Sequence, residues 1–330
     1  MRNKVLGALY GMAIGDAMGM PPELWGRKRV QAYFGEITDF LDGPKENDVA
    51  CNFTRGQYTD DTSQALLILD ALIETDFVPD TKVIGRHLME WADRLKAFDN
   101  NILGPSSKAA LLALKDGKDV SQFTSKAETN GAAMRIAPVG CLFSSNEHQQ
   151  LAQYVMDISK VTHSTDVAVG GAAMIAAAVS SALEDKSWDA IMQDAIAAYD
   201  VAKELGAETY SASLSGRLKL AMGYAKQYEG QDEPFLQTIY DIIGSGVITS
   251  ESVPAALAIA YYANDPHRCS LLCANLGGDT DTIGAMATAI CGAKSGADAI
   301  DSGWKQLMDE ANGTDFGRYA DHIIAYRGKK

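Results

Sequence analysis

Two acidic stretches carry the residue types that chemistry would need. One is Leu276 to Met286, LGGDTDTIGAM, in which Asp279 and Asp281 alternate with Thr280 and Thr282 behind a glycine pair. The other is Thr59-Asp60-Asp61-Thr62, far away in the chain and followed by the apolar-periodic run SQALLILDALIE. Both read as oxygen-bearing residues at the entrance of a helix. A helix N-cap uses one such side chain, so capping accounts for one residue of each stretch and leaves the others over. A hard divalent cation would use them all: magnesium takes near-octahedral oxygen ligands at about 2.0–2.1 Å and keeps several waters. Thr59, Asp60, Asp61, Asp279, Asp281 and Thr282 are therefore the candidate metal ligands. Gly277 and Gly278 let the backbone turn tightly and approach a bound ligand, which makes them candidate binding residues.

The elements that must position these side chains read as helices. Gly7, Gly11, Gly15 and Gly19 recur every four residues and share one slowly rotating helix face. Each glycine costs a helix about 1 kcal/mol relative to alanine, which predicts a close contact with another helix or with a ligand. Asp16, inside this apolar helix, reads as a group supporting the site or a satisfied buried polar group. Helices are predicted from about Thr62 to Glu74 and over 82–96, and DNNILGPSS at 99–107 is a turn setting up the helix after it. The small-residue run from Val167 to Leu183 predicts a buried helix, and two amphipathic helices fill 187–229 with a break near 206–212. Over 248–263 a Ser/Glu cap with Pro254 in the first turn predicts a helix start. Residues 42–58 form a long polar connection, a length that usually carries a function. No period-two alternation persists, no repeat appears and no composition shift marks a boundary. The expectation is an all-α chain forming one domain over residues 1–330.

The order of these blocks resembles the ADP-ribosylglycohydrolase family. LGALYGMAIGDAMGMPPE at 6–23, YTDDTSQAL at 58–66, NGAAMR at 130–135, Thr162-His163 and LGGDTDTIGAM carry the resemblance, which spans most of the chain. It implies a compact multi-helix fold around a central dinuclear site holding two magnesium or manganese ions, and hydrolysis of an N- or O-glycosidic bond at a ribose. It also implies Glu23 or Asp279 as the catalytic carboxylate, with Asp279 the leading choice, and Asn130, Gly131 and His163 as substrate contacts. Arg135 follows in the same block, expected either to pair with an acid for structural reasons, the favoured role, or to touch substrate. The loop before Asn130 departs from the pattern. Family members that cleave ADP-ribose carry additional glycine, serine and often an aromatic residue there, whereas this chain has Glu128 and Thr129. A carboxylate in an anion-binding loop repels phosphate, so Glu128 argues for a simpler riboside.

Composition narrows the partners. A net charge of −14 opposes a nucleic-acid or anionic membrane surface. The N-terminal stretch lacks the form of a signal peptide, because glycines recur and Asp16 interrupts it. Val167–Leu183 is short and weakly apolar for a membrane span. Five cysteines without a disulfide rhythm indicate a reducing, cytoplasmic location, with Cys269 and Cys273 read as small core residues. Nothing in the sequence sets an oligomeric state. The expected activity is metal-dependent hydrolysis of an ADP-ribosylated protein or small molecule, through an oxocarbenium-like state that nearby carboxylates stabilise while one takes the proton from water. A nucleosidase acting on a free nucleoside is the alternative. A non-catalytic binding protein on the same scaffold is disfavoured, since clustered carboxylates repel one another without a cation.

Overall fold

In the computed structural model, which describes residues 1–98 and 103–329, the two acidic stretches are brought together by a helix pair. The N-terminal helix Arg2–Gly19 runs antiparallel to Thr280–Ser295. The four-residue glycine stripe explains the contact: Gly7, Gly11, Gly15 and Gly19 face Gly292, Thr288, Gly284 and Thr280 in turn, so closely that a Cβ on any of them would collide with a backbone carbonyl opposite. Gly284 and Gly292 meet the first helix in the same way. The stripe thus serves helix packing and not a ligand, and the favourable carbonyl contacts of a close seam offset the helix cost of glycine. At the end of the seam, Thr280 Oγ1 donates to the Gly19 carbonyl at 2.6 Å. That contact sets Asp279 and Asp281 beside the end of the first helix.

A single hydrophobic core runs from Val5 to Ile323 around this pair. The described residues contain no β-strand, only isolated bridges such as Trp25 with Gly278 and Thr129 with Ile248. Most predicted helices lie where the periodicity puts them, at Asp60–Glu74, Thr81–Arg94, Asp166–Leu183, Trp188–Ala202 and Leu214–Gln227. Asp166–Leu183 is long and apolar enough to cross a membrane by length and composition, yet 94% of it is buried in this core. Part of the predicted turn at 99–107 lies outside the described residues. From Gly104 onward Pro105 occupies the first turn of the helix Pro105–Lys115, as expected of proline there.

Pro254 differs from expectation. It lies within Thr249–Ala263 and not in its first turn, and no side chain caps that helix. Proline leaves the carbonyl four residues back without its helical donor. Arg217 Nη1 supplies one to Ser250 O at 2.8 Å, which is why the helix passes the proline. All five cysteines are free thiols, and four are buried, as small core residues.

Candidate active site

The first shared structural device is Asp16. Its Oδ1 accepts from the Thr59 N–H at 2.9 Å, and its Oδ2 accepts from the Thr62 N–H at 3.0 Å and the Thr62 hydroxyl at 2.6 Å. A buried carboxylate on one helix therefore caps another, satisfying backbone donors that the helix Asp60–Glu74 leaves free. Burial still raises the Asp16 pKa, to about 6. Thr59 Oγ1 reaches Asp61 Oδ2 at 3.3 Å and Asp281 Oδ2 at 3.4 Å, and Thr282 Oγ1 donates to Asp61 at 3.2 Å. The two motifs interlock through their threonines.

Two trios of carboxylates follow, Asp16–Asp61–Asp281 and Glu23–Asp279–Asp281, each with one oxygen per residue within 4.8 Å of the others. Asp281 belongs to both. Its Oδ1 is buried and has no hydrogen-bond partner, an arrangement that costs free energy unless something positive sits there. Burial first, and neighbouring carboxylates second, push Glu23, Asp61 and Asp281 well above the ordinary range. Asp60 rises to about 7, by burial and then by Asp16, and Asp279 to about 6 by burial. Oxygen donors, a partnerless buried carboxylate oxygen and mutual repulsion together fit a hard divalent cation. Asp61, Asp281, Thr59 and Thr282 have the placement to hold one, with Asp279 and Glu23 forming the second trio around Asp281.

A cavity of about 190 Å³ opens over these groups, with Glu23, Asp60, Asp279, Asp281 and Thr282 in its walls. Thr59 and Asp61 lie buried behind them. Asp60 is in neither trio; its Oδ2 accepts from Gln64 Nε2 at 2.8 Å, which turns it along the wall. Thr129, Asn130 and Gly131 form part of the facing wall. Asn130 Nδ2 donates to Asp279 Oδ2 at 2.5 Å and to Ser252 Oγ at 3.0 Å, so Asn130 orients the carboxylate as well as facing the cavity.

Three expected contacts are placed differently. His163 is fully buried and does not border the cavity; its ring lies beneath Gly131, where a Cβ would come within 2.6 Å of Cε1. Burial, and then Arg135, lower its pKa to about 3, so the ring is neutral. Gly277 and Gly278 take φ of +85° and +89° but pack against the Arg27 and Ser245 backbones and stay off the cavity wall. Their turn lets Gly278 O accept from Leu24 N at 2.7 Å and Gly278 N donate to Trp25 O at 2.8 Å, which pins the segment carrying Glu23. Asn47 pins it from the other side, donating to Pro21 O at 3.1 Å and Glu23 O at 2.9 Å, and so gives the 42–58 connection a task. Arg135 is buried and donates to Gln64 and Thr162 instead of pairing with an acid. Glu128 also departs from expectation: its carboxylate accepts from the Ser211 hydroxyl and is absent from the cavity wall. Sequence reasoning missed Asn47, Gln64 and Ser252, because single polar residues joined only by the tertiary fold leave no local pattern.

The ADP-ribosylglycohydrolase family model matches residues 1–330. The chain belongs to the ADP-ribosylglycohydrolase family. As a member it is a hydrolase of glycosidic bonds. It is similar to the uncharacterised protein YegU of Escherichia coli (strain K12), with 48% identity covering 99% of this chain and 98% of that one. The ADP-ribosylhydrolase ARH3 of Mus musculus is 26% identical, covering 94% of this chain and 88% of its own. A solved structure titled ADP-ribosylglycohydrolase-related protein complex shares the fold, with a TM-score of 0.67, 23% identity and coverage of 99% and 98%.

Proposed function

We propose that this family member hydrolyses the ribosyl bond of an ADP-ribosylated protein or small molecule with the help of two divalent cations, magnesium or manganese. The observation that carries the reading is the pair of carboxylate trios sharing Asp281 at the floor of the cavity. A cation at such a site, when bound, polarises ribose oxygens and lowers the pKa of attacking water. Asp61, Asp281, Thr59 and Thr282 would hold it, and Asp279 would join them with its orientation fixed by Asn130.

The chain's own residues supply the rest. Glu23 lies on the cavity wall with its backbone fixed by Asn47, and it shares a carboxylate trio with Asp279 and Asp281. Asp279 Oδ2 is already occupied by Asn130. Glu23 is therefore better placed than Asp279 to take the proton from water. Asp60 and Asp279 present negative charge to the oxocarbenium-like state, whose development they favour electrostatically.

At about 190 Å³ the cavity is smaller than the roughly 300–1,000 Å³ typical of whole-ligand sites, so it suits a ribosyl unit with the remaining substrate lying along its mouth. Glu128 was the reason to prefer a free nucleoside, and its placement against Ser211, off the cavity wall, weakens that reason. The relatives named ADP-ribosylhydrolase and ADP-ribosyl-[dinitrogen reductase] glycohydrolase support the larger substrate. Mass-spectrometric product analysis with magnesium or manganese, an ADP-ribosylated peptide and a nucleoside panel tests this, with Asp281→Asn as the blank. Release of ADP-ribose is expected. Release of ribose from nucleosides alone would overturn the substrate assignment.

A further inference from the structure

A buried chain of hydrogen bonds crosses beneath the cavity and ends at one of its walls. Arg135, 1% exposed, donates from Nη1 to Gln64 Oε1 at 2.6 Å and from Nη2 to Thr162 Oγ1 at 2.5 Å. Thr162 Oγ1 lies 2.8 Å from His163 Nδ1, and His163 Nε2 lies 3.0 Å from Thr129 Oγ1. The direction of this chain is fixed by its first member, because guanidinium is a donor only. Thr162 Oγ1 accepts from Arg135, and among the described residues its own proton has one hydrogen-bond acceptor, His163 Nδ1. An Nδ1-protonated ring would strand the Thr162 proton in a site without solvent, a cost of about 1–3 kcal/mol. The ring is neutral for the burial reason given above, so its proton sits on Nε2 and is donated to Thr129 Oγ1. Thr129 thus receives a hydrogen bond from below, and its own hydroxyl proton is directed elsewhere. The residue is half-buried and borders the cavity.

Resting on the ribosyl-hydrolase reading, we propose that Thr129 is a specificity-determining residue. Its hydroxyl donates into the cavity and selects ribosides that place a hydrogen-bond-accepting oxygen there over analogues that offer a donor or an apolar group. Arg135, Thr162 and His163 act as positioning residues that set the direction of that donor.

Thr129→Val keeps the shape and removes the donor, and Thr129→Ser restores it. Steady-state kinetics on an ADP-ribosylated peptide should show KM raised by roughly two- to tenfold in Thr129→Val, as for a lost neutral hydrogen bond, with kcat little changed. Thr129→Ser should return KM to near the wild-type value. Thr129→Val also leaves the His163 Nε2–H without its acceptor, so its melting temperature should fall somewhat while that of Thr129→Ser stays near wild type, and a far-UV circular dichroism spectrum like that of wild type would show that the fold is intact. Nitrogen-15 NMR of the wild-type protein should find His163 protonated on Nε2. An unchanged KM in Thr129→Val, or a His163 ring protonated on Nδ1, overturns the inference. A wild-type protein that cleaves no ADP-ribosyl bond refutes the proposed function instead, and the His163 tautomer still decides the direction of the chain.

Discussion

The helices Arg2–Gly19 and Thr280–Ser295 build the tightest seam among the described residues and, with Asp60–Glu74, the least comfortable cluster. Along the seam, Gly7, Gly11 and Gly15 meet Gly292, Thr288 and Gly284 backbone to backbone, with no charge involved. Beyond it, Asp16 and Asp281 form a buried trio with Asp61; burial raises all three pKa values, and repulsion adds to those of Asp61 and Asp281. The comparison separates two jobs. The seam supplies stability and fixes the helices in register; the cluster spends part of that stability to hold carboxylates where a cation and a substrate are to bind, the exchange expected of functional sites.

The seam should break first. Gly15→Leu places a side chain inside the Gly284 carbonyl, which backbone on both sides cannot yield, and should cost more than about 4 kcal/mol, read as loss of the cooperative denaturant transition. The cluster should respond the other way. Asp281→Asn should lower activity more than about 100-fold, beyond the tenfold to hundredfold loss typical of groups that only orient a metal ligand. The same substitution should stabilise the metal-free protein by about 1–3 kcal/mol, because a buried charge with a partnerless oxygen is removed. Urea unfolding of the metal-free proteins measures it.

The pH dependence sharpens the contrast. Asp16 and Asp279 at about 6 and Asp60 at about 7 lie above their unfolded values near 4, so the native state binds more protons between those limits. Their contribution is most favourable below about pH 4 and is lost as pH rises through 6 to 7. Cations compete with protons for the same oxygens, so magnesium or manganese should raise the melting temperature more at pH 8 than at pH 5. Equal shifts at both would argue against the cluster as the cation site. The smallest effect is expected from Ser252→Ala, which removes one of the two partners of Asn130 Nδ2 and should cost about 0.5–1.5 kcal/mol with a minor change in kcat/KM.

The seam and the cluster were also legible to different degrees. The glycine spacing foretold a close contact because it is a local pattern with a local cost, and the paired acidic motifs foretold a cation site because capping could not account for every oxygen. The partners that tune the site, Asn47 beneath Glu23, Gln64 on Asp60 and Asn130 on Asp279, depend on which segments the fold brings together. Motif membership also suggested a ligand contact for His163, Gly277 and Gly278, where the structure gives them support roles: a ring under a loop and a turn that holds Glu23. Residue type and spacing reveal chemistry more readily than they reveal which member of a motif faces the cavity.

The most direct test is a four-way melting comparison at pH 8, of wild type and Asp281→Asn, each with and without saturating magnesium or manganese. The account predicts a crossover, with the metal-free variant melting above metal-free wild type, and added cation stabilising wild type alone. A variant that melts lower without metal, or a cation effect of the same size in both proteins, would contradict it.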